Sequence, residues 1–299
     1  MFEGFTRGRA DIDGVGINYV VGGAGSPVLL LHGYPQTYTQ WAKLVPHLID
    51  RHTVVCADLR GYGDSDKPEP TEDSANYSFR AMAADQVALM TSLGFERFHV
   101  AGHDRGARVA HRLTLDHLDR VLSLTAMDIV PTWTMYNDVT RELAATYWQW
   151  YLLSQPAPLP ERLIEGATDF YFEACLVRNG RAGLDVYDAE MLAEYRRCWS
   201  DPAMIHASCA DYRAGISVDL QHDAEDLDLL LPMPVLALYA GDGLLRTRFD
   251  VEAVWAQRCA SFRSAAVSGG HFFPELNPLE AAEAFGTFLA AADAGADAA

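Results

Sequence analysis

The sequence predicts an α/β fold in which a mostly parallel, doubly wound sheet carries an inserted helical cap. Three observations carry that prediction. Short apolar runs of strand type recur at 27–31, 98–101, 121–127, 235–239 and 262–267, as strands buried on both faces require. A helical pattern follows directly on the second of them, from Ala107 to Leu113. Between Asp128 and Val235 the strand–helix alternation then stops for about a hundred residues, too many for a simple connection.

Taken in order, each strand end carries a group able to do chemistry. The run 27–31 opens into His32-Gly33-Tyr34-Pro35, where a glycine turn can aim the Tyr34 backbone N–H inward. The run 98–101 opens into Gly102-His103-Asp104-Arg105-Gly106, a tight strand–turn–helix pattern with an aspartate at its centre. A carboxylate is already ionised and attacks tetrahedral carbon without a base, whereas a serine there needs one. Asp128 ends the run 121–127, and the run 262–267 leads into Ser268-Gly269-Gly270-His271. Functional groups of doubly wound sheets collect outside the carboxyl ends of the strands, where all three stand. The order nucleophile, acid, histidine is that of the α/β-hydrolase triad, with the N–H groups of Tyr34 and Arg105 as its oxyanion hole. Spacing leaves the acid open, because Asp242 in Gly241-Asp242-Gly243 also follows a strand, where it otherwise reads as a turn aspartate.

The insertion holds Trp133, Trp148, Trp150 and Trp199, four of the six tryptophans, with helical segments at 141–152, 160–167 and 189–198. The expected division is therefore core at 1–130, cap at 131–230, core again at 231–290 and a disordered, alanine-rich tail at 291–299. With 49% hydrophobic and 21% charged residues, 299 positions suffice for one large core plus this insertion. A net charge of −18 argues against nucleic acid and anionic membrane as partners. The start Met1-Phe2-Glu3-Gly4 lacks the basic and apolar regions of a signal peptide, and no run is long enough to span a bilayer, so a cytoplasmic location is expected. Five scattered cysteines, Cys56, Cys175, Cys198, Cys209 and Cys259, suit neither disulfides nor a metal, and no cofactor is implied.

Arg105 and Arg108 point to the substrate. A spacing of three puts both on one helical face beside Asp104, where two cations would blunt a carboxylate nucleophile unless a second anion sits between them. Arginine grips carboxylates in forked geometry, so a small-molecule acid is the expected ligand. Arg112, one turn on, reads as a surface residue.

The run His103-Asp104-Arg105-Gly106-Ala107-Arg108, with Met127-Asp128-Ile129, Tyr147-Trp148-Gln149-Trp150-Tyr151, Asp211-Tyr212-Arg213-Ala214-Gly215 and Gly269-Gly270-His271-Phe272-Phe273, resembles the fluoroacetate (haloacetate) dehalogenases over nearly the whole chain. The resemblance implies Asp104 as nucleophile, His271 as base, Asp128 as its partner, and Arg105 and Arg108 on a haloacid carboxylate. It implies a halide pocket of His, Trp and Tyr, of which Trp150 and Tyr212 match the last two while Gln149 replaces the histidine. It also implies a homodimer. A Gln amide donates a hydrogen bond but cannot become cationic, so chloride or bromide would leave more readily than fluoride. An epoxide hydrolase shares the aspartate and histidine, and Tyr212 could protonate an epoxide there. That class needs a second cap tyrosine and has no use for paired arginines, and a non-catalytic binding protein gains nothing from a complete triad.

Overall fold

An Asp-Gly pair opens the structure. Asp13 and Gly14 take φ of 51° and 82°, the two left-handed conformations a two-residue hairpin turn needs. They join β1 (Thr6–Ile12) to β2 (Val15–Gly23) as an antiparallel ribbon. The computed structural model describes residues 1–177 and 183–296. β2 pairs antiparallel with β4 (His52–Ala57). Beyond it β3 (Ser26–Leu31), β5 (Phe98–His103), β6 (Val121–Met127), β7 (Leu231–Ala240) and β8 (Cys259–Val267) run parallel, in the order β1-β2-β4-β3-β5-β6-β7-β8.

Alternate residues of the central strands feed two separate cores, the period-2 consequence of a pleated backbone. Leu29 and Leu31 join Val100, Leu124 and Val235 on the face covered by α1 (Phe79–Ser92) and α2 (Arg105–Asp116). Val28 and Leu30 join Ala101, Met127 and Leu236 on the opposite face, under Phe285, Phe288 and Leu289 of the last helix. Burial on both faces is why these strands read as unbroken apolar runs.

Between β6 and β7 the chain is helical: α3 (Thr132–Asn137), α4 (Arg141–Thr146), α5 (Trp148–Leu153), α6 (Leu159–Glu165), α7 (Thr168–Val177), α8 (Ala189–Trp199), α9 (Pro202–Gly215) and α10 (Val218–Glu225). The single helix expected over 141–152 is broken at Tyr147, whose ψ of 36° lies outside the helical range and turns α5 away from α4. Past β7 come α11 (Leu244–Arg248) and α12 (Val251–Ala256), and past β8 come α13 (Phe273–Leu276) and α14 (Pro278–Ala296). No helix among the described residues is long and apolar enough to cross a membrane.

The tail is a correction. Disorder was expected from residue 291, yet α14 continues to Ala296; residues 297–299 lie outside the described residues. Alanine is the best helix former, and Asp293 gives this helix an anchor. His99 Nε2 lies 2.9 Å from Asp293 Oδ1 while Ser26 Oγ donates to Oδ2 at 3.0 Å. His99 Nδ1 is held in turn by Ser123 at 2.7 Å, and Ser26 also meets His52 Nδ1 at 2.9 Å. One carboxylate thus ties α14 to the first residues of β3 and β5. Substituting Asp293→Ala should lower the free energy of unfolding by about 1–3 kcal/mol. Urea unfolding of the two proteins checks this, and equal midpoints would show the anchor to be idle.

Candidate active site

The turn after β5 sets the geometry of everything around it. Asp104 has φ 50° and ψ −116°, a left-handed backbone that costs a side-chain-bearing residue of order 1–3 kcal/mol and persists only where neighbours enforce it. Gly102 and Gly106 enforce it by allowing close approach. A Cβ on Gly102 would lie 2.3 Å from the Gly106 carbonyl oxygen, and one on Gly106 would lie 2.3 Å from that of Leu31. The turn is therefore pressed against the end of β3, and the carboxylate of Asp104 is lifted above the sheet.

Three strand ends converge on that carboxylate. The Tyr34 N–H, past β3, donates to Asp104 Oδ1 at 3.1 Å. His271 Nε2, past β8, stands 3.6 Å from Oδ2. His271 Nδ1 donates to Asp128 Oδ2, past β6, at 2.6 Å, and Asp128 Oδ1 accepts the Ala240 N–H at 2.9 Å. That resolves which aspartate faces the ring. Asp242 instead accepts the Gly270 N–H at 3.2 Å and so steadies the backbone of the histidine loop. The Arg105 amide, expected beside Tyr34 in the oxyanion hole, makes no hydrogen bond to a described residue, as befits the first N–H of a helix.

Burial and charge compete at both partners. Burial alone pushes the Asp104 carboxyl up, but the hydrogen bond and charge of His271, with Arg108 nearby, outweigh it and hold the group well below the usual carboxylate range. Burial alone pushes His271 down, but hydrogen bonds to Asp104 and Asp128 and their charges raise it to about 9. At neutral pH the resting site therefore holds an imidazolium between two carboxylates. His103 behind it is kept neutral, lowered to about 4 by burial and by the charge of His271. Its Nε2–H donates to the His271 carbonyl at 2.8 Å.

The two arginines share a helix but not an environment. Arg105 is fully buried between the rings of Phe79 and Tyr212, at 4.5 and 4.2 Å from their centroids. Its Nε and one terminal nitrogen grip the Asp211 carboxylate, so Nη1 alone is left without a partner among the described residues. Arg108 gives Nη1 to the Val130 carbonyl at 3.1 Å and Thr132 Oγ1 at 3.2 Å, and lies 4.7 Å over the Trp150 ring. Arg112, read as a surface residue, is buried, because Asp116 and Asp226 neutralise it beneath α10.

The helical segment supplies the other walls. Trp150 of α5 and Tyr212 of α9 meet edge to face at 5.9 Å, and Tyr34 closes on Tyr212 at 5.2 Å. Among the described residues the buried indole N–H of Trp150 has no acceptor and the carbonyl oxygen of buried Gln149 beside it has no donor. No group of three or more His, Cys, Asp or Glu residues among those described could hold a metal ion.

This arrangement invites comparison with known proteins. A model of the alpha/beta hydrolase fold matches residues 26–278. The chain belongs to the α/β-hydrolase family. Within the family, this α/β hydrolase is 51% identical to a fluoroacetate dehalogenase from Burkholderia sp., over 99% of this chain and 97% of that protein. It is 31% identical to a soluble epoxide hydrolase from Corynebacterium sp. (strain C12), over 91% and 93% of the two chains. A crystal structure from Nostoc sp. PCC 7120, described as an alpha/beta hydrolase, superposes with a TM-score of 0.94 at 46% identity, covering 97% of this chain and 99% of that one.

Sequence reading missed Asp211 as a partner. It lies inside the quoted Asp211-Tyr212-Arg213 run, but nothing in its spacing signals a contact with Arg105, 106 positions away. The buried histidine of this α/β hydrolase also makes its stability depend on pH. A folded-state pKa raised above the unfolded value means that bound proton stabilises the fold, fully below about pH 6.5 and progressively less as pH rises through about 9. On the order of 3 kcal/mol should be lost across that window, and His271→Gln should remove that share of the slope. Urea unfolding at pH 6.5 and 9.5 measures it; parallel slopes in the two proteins would contradict the charged resting histidine.

Proposed function

We propose that this α/β hydrolase cleaves the carbon–halogen bond of haloacetates, releasing glycolate and halide by way of an ester on Asp104. The observation that carries the reading is the Asp104 carboxylate at the elbow, fixed by the Tyr34 N–H and 3.6 Å from His271 Nε2, with Arg105 and Arg108 buried on the helix that follows it. Such a site suits a substrate that is itself a carboxylate and is attacked at saturated carbon. The 51% identity to a fluoroacetate dehalogenase supports the same reading.

In this mechanism Asp104 Oδ2 attacks the α-carbon in line and expels halide, which Trp150, Tyr212 and Gln149 receive. Oδ1 keeps the Tyr34 N–H and becomes the ester carbonyl oxygen. Esterification removes the charge that raised His271, so the imidazolium gives up its proton and becomes a base. The Asp128 bond keeps the remaining proton on Nδ1 and leaves Nε2 to accept one from water. The water oxygen bonds to Cγ of the ester, and negative charge gathers on Oδ1, against the Tyr34 N–H with Arg105 N–H as its second donor. Collapse expels glycolate, which takes the proton from Nε2, and the hydroxyl proton left on the re-formed Asp104 carboxyl passes to His271 and restores the imidazolium, so the net release is the one proton His271 gave up. No cofactor enters any step.

In the same reading, residues 131–230 act as a cap over core segments 1–130 and 231–290. The working form is a cytoplasmic homodimer, for which exposed Leu159, Leu163 and Phe170 on α6 and α7 offer apolar surface. Epoxide hydrolysis is the second reading, supported by the Corynebacterium relative. It gives the spare donors of Arg105 and Arg108 no substrate anion to meet.

With His271→Ala, the first displacement should occur once per site and then stop, giving a stoichiometric burst of halide and a mass gain of one glycolyl unit on Asp104. Rapid-quench halide release and peptide mapping check it; absence of both burst and adduct would replace the ester by direct attack of water. Gln149→His should speed defluorination several-fold more than dechlorination, because fluoride needs the most help in leaving. Turnover of fluoroacetate and chloroacetate by both proteins measures this, and equal changes would place Gln149 outside the halide site.

A further inference from the structure

Four buried donors gather at one place with no acceptor among the described residues: Arg105 Nη1, Arg108 Nε, Trp150 Nε1 and the hydroxyl of Tyr136. Their proximity follows from shared neighbours. The Tyr136 and Trp150 rings are 5.2 Å apart, and the Arg108 guanidinium stands 4.7 Å from the Trp150 ring. A Cβ added to Gly215 would lie 3.2 Å from Arg105 Nη1 and 3.5 Å from the Tyr136 hydroxyl, so those two atoms close on one small space. Buried polar atoms in folded proteins nearly always find a partner in protein, water or an ion, and four groups able to donate at one place suit an anion. Arg105, Arg108 and Trp150 have tasks in the proposed reaction. Tyr136 has none.

The charge balance says why a further neutral donor matters there. Arg105 is paired with Asp211 and His271 stands between Asp104 and Asp128, whereas Arg108 has no carboxylate at ion-pair distance among the described residues. A substrate carboxylate entering this set therefore meets one unpaired cation, Arg108, and its remaining lone pairs depend on well-aimed N–H and O–H dipoles. A carboxylate offers about four lone-pair sites. Arg105 has one nitrogen to spare and Arg108 has already given Nη1 to Val130 and Thr132. Burial dominates the ionisation of the Tyr136 phenol and outweighs the two arginines, keeping it protonated and able to donate.

We propose that Tyr136 is a third donor to the substrate carboxylate, completing with Arg105 and Arg108 a site specific for small carboxylic acids. The proposal rests on the haloacetate reading for its substrate and on the donor cluster for its site. It assigns to α3, at the start of the helical segment, a direct part in choosing acids over neutral halides.

Tyr136→Phe keeps the ring against Trp150 and removes only the hydroxyl. Acetate serves as the probe, titrated calorimetrically into wild-type and variant protein, with bromide titrated separately and melting temperature recorded for both. The expected result is a roughly tenfold or larger rise in the acetate dissociation constant, unchanged bromide affinity and an unchanged melting temperature. The KM for chloroacetate should rise with it while kcat stays within about twofold. Equal acetate affinity in the two proteins, weakened bromide with unaltered acetate, or no acetate binding by the wild type would each overturn the proposal. If acetate binding weakens as expected but neither protein releases halide from any haloacetate, the carboxylate role of Tyr136 stands and the haloacetate reading falls.

Discussion

The strained backbone at Asp104 is the constraint on which the rest of the site depends. A side chain at φ 50° projects above the sheet only because Gly102 and Gly106 let the following helix press within contact distance of β3. The same closeness brings the Tyr34 N–H onto Oδ1 and leaves Oδ2 toward His271, so one conformation divides the carboxylate into an oxygen held by the backbone and one that faces the imidazole. Asp128, with φ 53°, repeats the arrangement one strand over and turns its two oxygens to the Ala240 amide and the imidazole.

Electrostatics then determine what each group does and when. In the proposed reaction the imidazole is a cation while Asp104 is charged and a base once that charge is esterified, so a single residue would change role without moving. Asp211 plays a comparable part for Arg105. By taking Nε and one terminal nitrogen it fixes the guanidinium between Phe79 and Tyr212 and leaves one donor exposed to the site. Tyr62 adds its hydroxyl to the same carboxylate at 2.6 Å. A buried ion pair of this kind is costly to break because either survivor is left as an unmatched buried charge.

How much of this was legible in the sequence follows from what sequence patterns encode. Parallel strands buried on both faces read as apolar runs, and each functional group of the core stands at the end of one, so Asp104, Asp128, His271 and Tyr34 could be placed in advance. The antiparallel ribbon at the start was not read, although Asp13-Gly14 marks it. Contacts made by the helices between β6 and β7 were closed to sequence reading. The pairing of Arg105 with Asp211, the burial of Arg112 under α10 and the break at Tyr147 all depend on how helices far apart in the chain are laid together. Composition also misjudged the last helix, because alanine is equally at home in a frayed tail and in an anchored helix, and only Asp293 separates the two.

That anchor fixes which way the molecule faces. Ser26, His52 and His99 begin or lie near the beginning of β3, β4 and β5, and the reactive groups stand past the opposite ends of the parallel strands. The end of α14 lies against the same lower rim, where Ala291, Ala292 and Gly295 adjoin Leu118, Leu122 and Pro232. A surface, bead or second enzyme coupled through this helix would therefore hold the protein from beneath and leave the helices above the carboxyl edge turned outward, giving every immobilised copy the same orientation.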